Sequence, residues 1–148
     1  MLPSWKAQYS VNHTELDAHH KELFRLAAQV YGLDANAATK EKIRELMHKF
    51  YGYMKKHFKE EEEYMELIEY PDIEKHRLQH QNIINSLNSV IKKSHDLREV
   101  RETMRMAVRV WLVEHILQHD MQYEKWRKSN RCERIKSQNV ENENYEEL

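Results

Sequence analysis

The stretch HFKEEEEYM, residues 57–65, poses the question that decides how this chain folds. Four consecutive glutamates on a helix spread over most of its circumference at about 100° per residue, so one of them must turn toward the interior. The apolar stripe around them picks it out: Phe50, Met54, His57, Glu61, Tyr64 and Ile68 recur at three- and four-residue steps, which places Glu61 inward, one turn after His57. Glu60, Glu62 and Glu63 fall more toward solvent, as a solvated face.

The same stripe recurs in three other segments. Leu16, His20, Leu23, Ala27 and Val30 form the first, and Ile73, His76, His80, Ile83, Leu87 and Val90 the third. In the fourth, Val108, Leu112, His115 and His119 lie close to one face, flanked by Trp111 and Ile116. Periodicity breaks at GLDANAATK from Gly32, at IEYPD around Pro71 and at KKSHD before Leu97. Thr14 with Asp17 and Asp96 with Glu99 have the spacing of capping boxes, and Pro71 suits a first helical turn. Short breaks between helices make successive helices antiparallel neighbours. The expected fold is all-α, an up-down-up-down antiparallel four-helix bundle over residues 1–130, followed by a polar tail or helix extension over 131–148.

Composition agrees. Two Gly and two Pro in 148 residues, with 33% charged and 40% hydrophobic residues, favour long helices over many short strands. A net charge of -1 provides no global field for nucleic acid or an anionic membrane. No apolar run approaches about 18 residues and the first residues carry no signal-peptide core, so a soluble cytoplasmic protein is expected. The single cysteine, Cys132, rules out an intrachain disulfide and a thiolate cluster, leaving nitrogen and oxygen to hold any metal.

Ten histidines are present, and each of the four stripes carries at least one. A lone core histidine is usually an ordinary hydrogen-bonded residue. Burying this many without partners would cost about 1–3 kcal/mol per group, so a shared acceptor of their lone pairs is the simpler explanation. The heights match too: His57 and Glu61 end the second helix, His76 and His80 begin the third, His20 is early in the first and His115 late in the fourth. A metal site in a bundle core is built this way. Spacing alone leaves two choices open, His19 or His20 on the first helix and His119 or Asp120 on the fourth. Asp120, at i+5 from His115, needs either a carboxylate aimed from the edge or a local widening of the helix. His13, His48 and His95 show no partner spacing, and the seven methionines read as core filler.

DAHHKEL at 17–23, HFKEE at 57–61, HRLQH at 76–80 after a Tyr-Pro turn, and WLVEHILQHD at 111–120 together resemble the hemerythrin family, over about residues 5–126. The resemblance implies a ligand set of His20, His57, Glu61, His76, His80, His115 and Asp120. It implies two iron ions, an oxo- or hydroxo-bridged Fe2+/Fe3+ pair, and reversible binding of dioxygen for storage, delivery or sensing at one open iron position. Bridging carboxylates and terminal imidazoles would then fill about nine of twelve octahedral positions. Leu23, Phe58, Trp111, Leu112 and Ile116 are expected to wall the gas pocket. Two carboxylates, against four or more in oxygen-activating di-iron sites, favour binding over O–O cleavage, so a binding protein rather than an enzyme is expected. Nitric oxide or peroxide chemistry at the same centre is the alternative.

Overall fold

Three of the four helices start where a side chain accepts from an unpaired backbone N–H. The computed structural model describes residues 2–34, 36, 39–93 and 96–130. Helices α1 (Thr14–Tyr31), α2 (Lys40–Leu67), α3 (Ile73–Lys93) and α4 (97–130) follow a single 3-10 turn at Ala7–Tyr9. The expected tail at 131–148, Cys132 and His95 lie outside the described residues.

Two caps differ from expectation. The box of Thr14 and Asp17 is not formed: His13 caps α1 through Nδ1, which accepts from the Leu16 N–H at 3.1 Å. Asp17 instead reaches back, accepting from the Val11 N–H at 2.9 Å and from the Ser10 hydroxyl, and so ties the N-terminal segment to the bundle. Pro71 sits in the turn ahead of α3, two residues before Ile73, rather than in its first turn. Asp96 caps α4 as expected, accepting from the Glu99 N–H at 2.8 Å, and Thr39 does the same for α2.

α2 ends in a Schellman motif, with Tyr70 N–H bonded to Met65 C=O and Glu69 N–H to Glu66 C=O. Glu69 therefore occupies the left-handed position at φ 58°, where a side chain costs about 1 kcal/mol or more. Glu69→Gly is expected to raise the unfolding free energy by about 0.5–1 kcal/mol, read from urea midpoints at unchanged slope. An unchanged or lower midpoint would show that the glutamate's own contacts outweigh its backbone strain.

Direction alternates along the chain. Arg101, at the start of α4, donates to the Tyr31 and Leu33 carbonyls at the end of α1. A cleft at that same end is lined by the start of α2 (Lys40, Ile43, Met47), the end of α3 (Asn88, Ile91) and Val100 of α4.

The apolar interior is divided in two. One cluster holds Leu23, Phe58, Ile83 and Ile116, and the other Leu16, Met65, Tyr70 and Tyr123, with Ile73 packed against it. On each helix a buried polar residue marks the boundary between the two: His20 between Leu16 and Leu23, Glu61 between Phe58 and Met65, His76 and His80 between Ile73 and Ile83, Asp120 between Ile116 and Tyr123, with His57 and His115 next to Phe58 and Ile116. The bundle thus carries a polar slab sandwiched between apolar layers.

α4 is wider than an α-helix over much of its length. Leu97–Met106 is α-helical, but Ala107–Glu114 and Ile116–Asp120 form π-helix before α-helix resumes over 121–130. The cause is legible in its burial: Val100, Met104, Val108, Leu112, Ile116, Asp120 and Glu124 are all buried at a strict spacing of four. In an α-helix each four-residue step overshoots a full turn by about 40°, so the stripe would wind out of the core. Extra residues per turn keep it facing inward.

Candidate metal centre

Seven polar side chains meet in the slab: His20, His57, Glu61, His76, His80, His115 and Asp120, each no more than 4% exposed. Steps of four residues on α2 and α3 stack His57 with Glu61 and His76 with His80. On α4 the π ladder brings Asp120, five residues on, over the same face as His115. Of the two pairs that spacing left open, one member of each is buried in the slab. Asp120 is fully buried while His119 is half-buried, and His20 points into the slab while His19 lies at its edge.

The atoms sort into two sets. Around one point, His80 Nε2 lies 2.9 Å and His76 Nε2 3.3 Å from Glu61 Oε1, and His76 and His115 Nε2 lie 3.0 and 3.1 Å from Asp120 Oδ1. Around the other, His57 and His20 Nε2 lie 3.4 and 3.6 Å from Glu61 Oε2, and His20 lies 3.4 Å from Asp120 Oδ2. Each carboxylate thus turns one oxygen to a three-histidine group and the other toward a two-histidine group.

A cation fits both groups. Neighbouring ligands on an octahedron with bonds of about 2.1 Å lie about 3.0 Å apart, close to the spacings here. Hydrogen bonding does not account for the arrangement. Among the described residues, all but one of the buried side-chain polar atoms without a hydrogen-bond partner belong to this cluster, the exception being Trp5 Nε1. They include Nε2 of His20, His57 and His76 and both oxygens of Asp120. Such groups cost about 1–3 kcal/mol each when left unpaired.

Protons stand in for cations when the site is metal-free. Burial alone would lower His20 and His76, but their contacts with Asp120 and Glu61 overcome it and raise them to about 9 and about 10. Burial opposes ionisation of Glu61 and Asp120 as well, yet the surrounding imidazoles hold both well below the usual carboxylate range. His57 goes the other way, to about 4, through burial and the charge on His20.

The consequence for stability has a definite sign. Groups raised in the folded state contribute fully below their unfolded value of 6.5, and that contribution is lost as pH climbs through the folded values of about 9 and 10. The depressed carboxylates and His57 lose theirs as pH falls. The metal-free protein is therefore expected to melt highest near pH 6.5 and at falling temperature toward pH 10, in a series of calorimetric scans. A melting temperature that rises from pH 6.5 to 10 would contradict this.

Around the cluster, Tyr123 donates to Glu61 Oε2 at 3.3 Å, and Phe58 stacks on His80 with ring centroids 3.8 Å apart. Leu23, Trp111, Leu112 and Ile116 are buried in the apolar cluster that contains Phe58, and Trp111 shares a groove between α3 and α4 with His115. Three features escaped the sequence reading. Tyr123 is one; Glu60, paired with His19 at 2.9 Å, is another; the third is Glu124, buried and held by Asn12 and Arg127. Glu124 and Asp120 share the four-residue spacing on α4, and that signal would have found it.

Comparison with known proteins gives a consistent picture. The family model for the hemerythrin HHE cation binding domain matches residues 12–126. The chain is 30% identical over 124 residues to a bacteriohemerythrin of Clostridium acetobutylicum, covering 80% of this chain and 96% of that one. It is 28% identical over 120 residues to a hemerythrin-like protein of Naegleria gruberi, covering 81% and 89%. With a myohemerythrin of Theromyzon tessulatum the figure is 29% over 119 residues, covering 80% and 88%.

Proposed function

The chain belongs to the hemerythrin family, and on that premise we propose that it is a di-iron protein that binds dioxygen reversibly. The observation that carries this reading is the division of the two carboxylates between unequal sets of imidazoles. His76, His80 and His115 would hold one iron and His20 and His57 the other, with Glu61 and Asp120 shared between them. Five imidazoles and two shared carboxylates supply about nine of twelve octahedral positions, so the two-histidine side is the less filled. Ferrous iron held by these residues would supply the electrons for binding a small diatomic.

The residues of the chain favour binding over onward chemistry. Neutral imidazoles outnumber carboxylates, and high-valent iron gains little stabilisation from so few negative ligands. Phe58 covers His80, and the buried Leu23, Trp111, Leu112 and Ile116 keep water from the slab. Tyr123 holds Glu61 in place from the opposite apolar layer. No described helix is long and apolar enough to cross a membrane.

Anaerobic reconstitution with ferrous iron, followed by spectra under argon, dioxygen, argon again and nitric oxide, tests the reading. The expected result is a charge-transfer colour that develops under dioxygen and disappears under argon over repeated cycles. Steady consumption of dioxygen, nitric oxide or peroxide with added reductant, and no reversible colour, would identify an enzyme instead.

A further inference from the structure

We propose that His19 and Glu60 form a positioning pair that fixes His57 in the one tautomer able to ligate iron, and so governs the affinity of the two-histidine half of the centre. The inference rests on the di-iron reading above, which supplies the metal that His57 would face.

The three side chains form a line from solvent to the slab. Glu60 Oε2 lies 2.9 Å from His19 Nε2, and His19 Nδ1 lies 3.1 Å from His57 Nδ1. His57 Nε2 then faces Glu61 Oε2 at 3.4 Å without a hydrogen-bond partner. Side-chain exposure falls inward along the line, 39% for Glu60, 17% for His19 and 1% for His57.

Hydrogen-bond chemistry gives the line a direction. An ionised carboxylate only accepts, so His19 must carry its hydrogen on Nε2 and donate it to Glu60. A neutral His19 then has a lone pair on Nδ1, and His57 must donate its own Nδ1–H to it. That leaves a bare lone pair on His57 Nε2, aimed into the slab. A metal at Nε2 requires the same arrangement, because a ligating imidazole keeps its hydrogen on the other nitrogen. Glu60 thus determines, through His19, that a lone pair and not a hydrogen meets the cation.

His20 has no such support. Its Nδ1 is buried with no hydrogen-bond partner, so within the two-histidine half only His57 is held from behind. The pair acts on the half of the centre that has fewer ligands to spare. Loss of a hydrogen bond behind a ligating histidine weakens metal binding by about 10–100-fold.

The test uses the full chain with His19→Leu, His19→Gln and Glu60→Gln. His19→Leu removes both hydrogen bonds, whereas His19→Gln keeps one acceptor for His57 and one donor for Glu60. In metal-free wild type at neutral pH, nitrogen-15 spectra of the imidazoles are expected to show His57 with its hydrogen on Nδ1. His19→Leu should shift it to Nε2 and His19→Gln should restore Nδ1. In anaerobic ferrous titrations, His19→Leu should weaken one of two iron equivalents by about 10–100-fold, with His19→Gln within about threefold of wild type and Glu60→Gln between them. His57 unchanged in His19→Leu, or iron binding in that variant equal to wild type, would overturn the proposal. Wild type that takes up no iron but shows the His57 tautomer responding as described would instead refute the di-iron reading and leave the hydrogen-bond line intact.

Discussion

Glu61→Gln is expected to abolish iron binding at both positions while leaving the bundle folded. Glu61 reaches both groups of ligating atoms, with Oε1 beside His76 and His80 and Oε2 beside His20 and His57. Glutamine has nearly the same shape, but it replaces one oxygen by an N–H2 that can only donate, and it removes the charge that offsets two cations. Ferrous affinity should fall by about a hundredfold or more at each position. The helices should survive on the two apolar clusters that flank the slab. The metal-free variant is expected to melt somewhat below the metal-free wild type, because it takes a carboxylate away from the protonated His20 and His76. Metal analysis after anaerobic loading, with circular dichroism on the same sample, decides the matter. Two irons per chain in Glu61→Gln would show that this residue does not join the halves.

Stripping iron from the wild type should produce the second large effect. An ion that binds only the folded chain stabilises it by about 4 kcal/mol when present at a thousand times its dissociation constant. For a domain of this size each kcal/mol moves the melting temperature by about 2–4 °C, so two ions correspond to about 15 °C or more. The loss should be local as well. Asp120 ends the second π-helical segment of α4 and His115 lies between the two segments, and without a cation both oxygens of Asp120 lack hydrogen-bond partners. Hydrogen exchange is expected to rise first over 107–124, and re-addition of ferrous iron should reverse it. A melting temperature within about 3 °C of the loaded protein would mean that the cluster is satisfied without metal.

Most of the architecture was legible from hydrophobic periodicity, because the stripes of α1, α2 and α3 follow a regular helix. His20, His57, Glu61, His76 and His80 each replace an apolar residue in such a stripe, and all five are buried. α4 was read less well for a specific reason. Its inward residues recur every four positions from Val100 to Glu124, a spacing that belongs to a wider helix, and a search at about 3.6 residues per turn favours His119 over Asp120. The family resemblance selected Asp120, and the π-helix supplies the geometry that periodicity lacked. His13 shows no partner spacing in the sequence but caps α1, since histidine is an uncommon cap and its ring nitrogen leaves no signature in the spacing. Glu60 looked like part of a solvated acidic run. Its partner His19 lies on another helix, and no pattern within α2 could reveal the pairing.

Diffraction from crystals of the iron-loaded protein, with data on either side of the iron absorption edge, would locate the metals directly. Two anomalous peaks are predicted, one beside His76, His80 and His115, the other beside His20 and His57, with Glu61 and Asp120 reaching both. A single peak, or iron bound outside these seven side chains, would contradict the account.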